Sequence, residues 1–328
     1  MARPNPITPV LLISFIGAVL IAGLIPHLVS NFVTYQLTLA IAWGVAMLGL
    51  NVLTGYNGQF SVGHSAFFAA GAYGAAIMIE HFGWGPYEAI LAAAAFSFVF
   101  GFLFGLPALR LEGLYLALAT FALAVATPQL LKFDAFEEWT GGVQGIFVPK
   151  PEPLIAGLSP DQSLYYVALG VMLFLMVITW FILHSRSGRA MMAIRDNPIA
   201  ARSMGINLPL VKTTTFGISA MFAGIGGALF TYASEFVSPD AFNFFVAVYI
   251  LVGSVVGGIV SIPGAIFGGL FIVFMPNWAQ DLRLAYEWLP PPWAIFGVFL
   301  ILLVYFVPSG IWGALERLTA WTRRRAAG

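Results

Sequence analysis

Long stretches of the chain carry no Asp, Glu, Lys or Arg: residues 4–79, 89–109, 113–131, 162–185, 213–234, 241–280 and 288–315. Crossing the hydrocarbon core of a bilayer takes roughly 20 apolar residues in a helix. The first interval therefore holds three crossings with turns, 241–280 holds two short ones, and each of the others holds one. Breakers place the joints at His27, Ser30 and Asn31, at Thr54–Gln59, and at Gly257–Gly264. The pattern predicts ten helices over 7–25, 32–53, 60–80, 88–107, 113–131, 163–184, 213–233, 242–259, 263–280 and 292–308. The two halves of 241–280 are short and Gly-rich, so a re-entrant hairpin fits that interval as well as two full crossings. The expected fold class is an all-α polytopic membrane protein, one transmembrane domain over 1–328.

Composition agrees. Hydrophobic residues make up 60% and charged residues 9%, against about 25% charged in a soluble domain. Lys+Arg and Asp+Glu number 14 each. So few charges cannot coat a soluble globule, which excludes a soluble enzyme, a disordered chain and a basic nucleic-acid binder. Cysteine is absent, removing disulfides and thiolate metal sites. Placing both termini in the cytoplasm puts Arg3, Arg110, Arg186, Arg189, Arg195, Arg202, Lys212, Arg317, Arg323, Arg324 and Arg325 inside, and only Lys132, Lys150 and Arg283 outside. That is the bias expected of a multi-pass inner-membrane protein. The run from Ile7 to Ile25 lacks a convincing small-x-small cleavage site and reads as a retained first helix.

Three polar stretches remain. The cytoplasmic connection 185–212 carries five basic residues and one acid, Asp196. A first short helix is expected from Gly188 to Arg195 after Ser187 as N-cap. A second is expected with Asn197 as N-cap, Pro198 at the first helical position and Gly205 just past its end. Its Ala-rich face suits docking on another protein; a basic loop that only fixes topology is the competing reading. The far-side connection 132–162 is acidic and Pro-rich and contains Glu137, Glu138, Thr140, Gly141 and Gly142. It reads as an ordered cap, either a landing surface for a soluble partner or a plain connector. The C-terminal Trp312, Trp321 and arginines suit the membrane interface and anionic lipid.

The spans offer little chemistry. All 28 charges fall at span ends or in connections, where a proton-coupled carrier usually needs a carboxylate near mid-membrane. No Gly-x-x-x-x-Gly-Lys-Ser/Thr phosphate loop exists, so any ATP must be bound by another chain. The uncharged polar residues Asn51, Gln59, Ser61, His64 and Ser65, with Tyr115 and Thr120 on the fifth span, either line a narrow path or satisfy one another in helix packing. Of the four histidines only His64 lies well inside a span. Gly58, Ser61 and Phe67 recur 200 positions later as Gly258, Ser261 and Phe267, a faint internal echo.

Leu50–Ala72, Leu109–Tyr115, Thr140–Gly142 and Ser187–Ile206 resemble, in order, segments of the permease subunits of branched-chain amino-acid ABC importers, LivM-type. The resemblance covers about 30–315. It implies a partnership of two permeases, the second LivH-like, two ATPase subunits that use ATP and Mg, and a periplasmic substrate-binding protein. No cofactor or metal is implied in this chain. The resemblance also implies a coupling helix at Asn197–Gly205, which assigns Arg189, Arg195, Asn197, Pro198, Ala200, Ala201 and Gly205 to ATPase contact. The Glu that leads the family's short motif is replaced here by Ile199. Similar permeases carry urea, short amides and other small solutes, so the substrate stays open. A stand-alone secondary transporter or channel is a competing class, and a membrane enzyme using His64 a third.

Overall fold

The computed structural model describes residues 9–154 and 157–326. Arg3 and the start of the first expected span lie outside them. The helices in chain order are α1 (Pro9–Leu28), α2 (Asn31–Leu50), α3 (His64–Phe82), α4 (Pro86–Ala108), α5 (Leu114–Leu131), α6 (Glu137–Thr140), α7 (Pro160–His184), α8 (Arg186–Asp196), α9 (Pro198–Ser203), α10 (Leu208–Ser234), α11 (Phe244–Gly257), α12 (Gly264–Ala285), α13 (Pro292–Phe306) and α14 (Gly310–Ala326). Each expected span coincides with one of them. By length and composition five described helices can cross a membrane, Asn31–Tyr56, α4, α5, α7 and α10. A sixth is added if α13 and α14, bent by 43°, count as one span.

Lipid tails are as apolar as the side chains, so helices in a bilayer associate through close packing of small residues. α10 is built for this: 83% of its crossing window is buried, against 28% for α5. It packs on α2, α3 and α4. A Cβ added at Gly71 of α3 would overlap the backbone of Gly224 on α10, so the two chains touch main chain to main chain. Phe67, Phe68, Phe216 and Phe222 fill the space beside this seam and are fully buried.

The structure corrects several boundaries. The second span continues past 53 as one π-helical turn, Asn51–Tyr56. The third helix starts at His64 rather than 60, because 57–63 form an irregular link. α8 starts at Arg186, not Gly188. Its N-cap is Ser185, whose hydroxyl accepts from Ser187 N and Gly188 N, so Ser187 is already helical. α10 starts five residues early because Asn207 caps it, accepting from Leu210 N. The tail expected as an interfacial anchor is helical from Gly310 to Ala326.

Two connections are more ordered than a chain of turns. β1 (Ile146–Phe147) pairs antiparallel with β2 (Phe236–Val237), with Ile146 opposite Val237. The link from α10 to α11 dips between its neighbours: Phe242 packs on Phe68, Tyr73 and Phe230. Phe244 then meets Phe121, mid-way along α5, at 4.7 Å. α11 is therefore only 14 residues long, whereas α12 has 22. Neither α11 nor α12 is among the described helices long and apolar enough to cross a membrane on its own.

Candidate functional site

At the arginine-rich end, α8 is seated on the bundle by Met191 and Ile194, both buried. A Cβ at Gly188 would strike the Ile182 and Leu183 carbonyls, so α8 leaves α7 at very close range. α9 forms as its end signals require. Asn197 Oδ1 accepts from Ile199 N and Ala200 N, both at 3.0 Å. Pro198 occupies the first helical position, and Gly205 follows the end with φ +80°, a left-handed geometry that glycine adopts without strain. Ala201 is buried and holds α9 down, whereas Ala200 is exposed. Ile199 and Met204 are 79% and 85% exposed. Two large apolar side chains thus stand out on the connection that also exposes Arg189 and Arg202.

Arg195 points back into the protein. Its Nη1 donates to the Gly55 carbonyl at 2.9 Å, while Nε and Nη2 both donate to Asp196. Gln59 Nε2 donates to the Lys212 carbonyl at 3.1 Å, and Lys212 pairs with Glu112 at 3.4 Å. Asn51 Nδ2 donates to the carbonyls of Gly258 and Ser261. These bonds join α8, the π-turn, α10 and the α11–α12 connection.

One turn deeper, a buried junction holds Ser61, His64, Ser65 and Ser219. Ser219 Oγ donates to the Gly49 carbonyl at 2.7 Å. Having spent its one proton there, it accepts from His64 Nε2 at 2.8 Å. His64 Nδ1 then accepts from Ser61 Oγ at 3.2 Å. Both ring nitrogens are satisfied in the neutral form. Thr120 Oγ1 donates to Ala117 O and accepts from Val62 N at 3.0 Å, fixing α5 to the 57–63 link. Of the expected path residues, Asn51, Gln59, Ser61, His64 and Thr120 are thus buried in hydrogen bonds within the chain, and Ser65 is buried with its hydroxyl unpaired. Tyr115 alone is exposed, at 71%.

At the opposite end, Thr140 Oγ1 lies 2.8 Å from Leu131 O and 2.9 Å from Phe136 O and accepts from Gly142 N. Gly141 ends α6 in the left-handed region. Glu137 and Glu138 are exposed, and Thr140 and Gly142 are buried beneath them. Lys150 clamps this cap, pairing with Glu235 at 2.7 Å and Asp161 at 3.0 Å. Burial disfavours its ammonium, but the two carboxylates outweigh that and raise its pKa above the ordinary 10.5. An apolar cavity of about 460 Å³ lies between α3, α4 and α5 under Trp139. Among the described residues no three His, Cys, Asp or Glu side chains converge as a metal site.

Sequence reasoning missed Ser219, Lys150 and the Gly55 carbonyl. Each acts through a partner more than 80 positions away, and no local spacing signals it.

A bundle of helices long and apolar enough to cross a membrane, with a capped basic connection at one end and an ordered cap at the other, defines a multi-pass membrane protein. Residues 32–308 match the model of the family described as the permease component of branched-chain amino acid transport systems. The chain belongs to that family. It is 32% identical over 315 residues to the high-affinity branched-chain amino acid transport system permease protein LivM of Escherichia coli strain K12, covering 87% of this chain and 71% of that one. It is 31% identical over 165 residues to LivH of the same organism, covering 50% and 51%. The autoinducer 2 import system permease protein LsrC of Enterobacter sp. strain 638 is 27% identical over 291 residues, covering 85% and 77%. No solved structure matches.

Proposed function

We propose that the chain is one of two permease subunits of an ATP-driven, binding-protein-dependent importer of branched-chain or related hydrophobic amino acids in a bacterial inner membrane. It crosses ten times with both termini cytoplasmic. The second permease is LivH-like; two ATPase subunits bind ATP and Mg against 185–212, and a periplasmic binding protein lands on the cap around Glu137, Glu138 and Thr140–Gly142. The observation that carries this reading is α9: a helix held by Asn197 and Ala201 presents Ile199 and Met204 bare among the arginines of a chain with no phosphate loop. Such a feature fits a groove on an ATP-hydrolysing partner. The buried junction around His64 serves packing, so substrate contact falls on exposed faces such as that of Tyr115.

A second reading of the substrate keeps the same architecture for urea, short amides or another small solute; the likeness to LsrC, named for autoinducer 2 import, supports only that related permeases are named for solutes other than branched-chain amino acids. Reconstitution of the whole importer decides between them. ATP-dependent uptake of leucine, isoleucine or valine, unaffected by excess urea or acetamide, is expected. Uptake of the amides with none of leucine would replace the first reading by the second.

A further inference from the structure

We propose that the π-turn Asn51–Tyr56 is the hinge that carries motion of α8 to the α11–α12 hairpin, with Arg195 as its positioning residue. This rests on the reading of 185–212 as the ATPase-docking connection. π-turns are rare and are found frequently at functional sites. This one is gripped from both sides. On the α8 side, Arg195 donates to the Gly55 carbonyl, and a side chain at Gly58 would run into Arg195. On the hairpin side, Asn51 holds Gly258 and Ser261, and Tyr56 Oη donates to the Val260 carbonyl at 2.8 Å. A Cβ at Gly55 would overlap the Ile259 carbonyl. Arg195 and the hairpin loop thus bear on a single turn of backbone.

The internal echo acquires a meaning here. Gly58 and Gly258 both take positive φ, +73° and +120°. Ser61 and Ser261 follow, and their hydroxyls accept from Gly63 N and Gly264 N, each ahead of a new helix. Two helix breaks built from the same residue types therefore flank the π-turn, one following it in the chain and one packed against it. The turn is also incompletely bonded. Asn51 Oδ1 and both side-chain polar atoms of Asn57 are buried with no hydrogen-bond partner in the chain. Unpaired buried polar atoms at the two ends of the turn cost free energy in this register, which narrows the gap to an alternative register, α in place of π. Two registers of similar energy are what a mechanical relay needs.

The test uses the full importer in proteoliposomes with Arg195→Met and Arg195→Lys. Arg195→Met is expected to lower uptake per ATP hydrolysed roughly tenfold, read in the complexes that assemble; Arg195→Lys, which keeps a donor for the carbonyl, restores most of it. Hydrogen exchange on the same complex without nucleotide gives a readout independent of transport. Arg195→Met should accelerate exchange in 51–61 and in 258–263 as well as in α8. Acceleration confined to α8, or uptake per ATP equal to wild type, overturns the hinge. If the wild-type complex shows no ATP-driven uptake, the functional reading falls, and the exchange pattern alone decides the hinge.

Discussion

His64 and Ser219 lie 155 positions apart and meet through a hydrogen bond of 2.8 Å whose direction is fixed, because the serine proton is already committed to the Gly49 carbonyl. The imidazole is thereby a donor at Nε2 and an acceptor at Nδ1, tying α3 to α10 and, through Ser219, to α2. A proton relay needs a ring that can release and regain a proton; this one gains nothing by doing either.

It follows that His64→Ala destabilises without changing mechanism. Loss of two buried hydrogen bonds costs about 1–3 kcal/mol, visible as a lower melting temperature in detergent. Uptake per folded importer should stay within a factor of two and keep its pH profile. A pH profile that disappears with the histidine would restore it as a functional group.

Ile199→Asp with Met204→Asp should leave the chain folded, since both positions are exposed and surface changes cost within about 0.5 kcal/mol. Co-purification of the ATPase subunits should be lost. Retention of stoichiometric ATPase would move the docking site off α9.

The α3–α10 seam makes a sharp contrast. Gly71→Leu forces apart two backbones in contact and should cost at least about 3 kcal/mol, read as loss of monodisperse protein in size-exclusion chromatography. Gly170→Ala, in α7 with nothing within 4 Å of the new methyl, should be neutral or stabilising by up to about 1 kcal/mol.

Lys150 gives a prediction with a defined pH window. Its pKa is raised in the folded state, so the stabilisation from its pairs with Glu235 and Asp161 is fully present below the unfolded value near 10.5 and is lost as pH rises through the higher folded value. Thermal melts should show a drop on the alkaline side above pH 10.5 that Lys150→Met abolishes while lowering stability at pH 7. An unaltered alkaline drop in Lys150→Met would assign it to another group.

Much of this was legible in the residues. Charge-free intervals located the helices because a bilayer core excludes ionised groups over a fixed length. α9 was legible because its caps are local: Asn197, Pro198 and Gly205 act within a turn of themselves. The π-turn was not, since Asn51–Tyr56 differs from α-helix only in hydrogen-bond register and its composition is ordinary. A short helix was expected at α11, but not its start, which is set by Phe242 wedging among rings from two other helices. The boundary of α8 was misjudged because Ser185 and Ser187 are equally good caps, and tertiary seating of Gly188 against α7 selected the first.

The central claim is that this permease moves solute only when driven through contact at its arginine-rich end. It is tested most directly by loading the purified chain into vesicles, with and without the proposed LivH-like partner, ATPases and binding protein, and following labelled leucine. The account predicts accumulation above the outside concentration only in the complete assembly with ATP. Uphill accumulation by the chain alone, driven by a proton or sodium gradient, would contradict it.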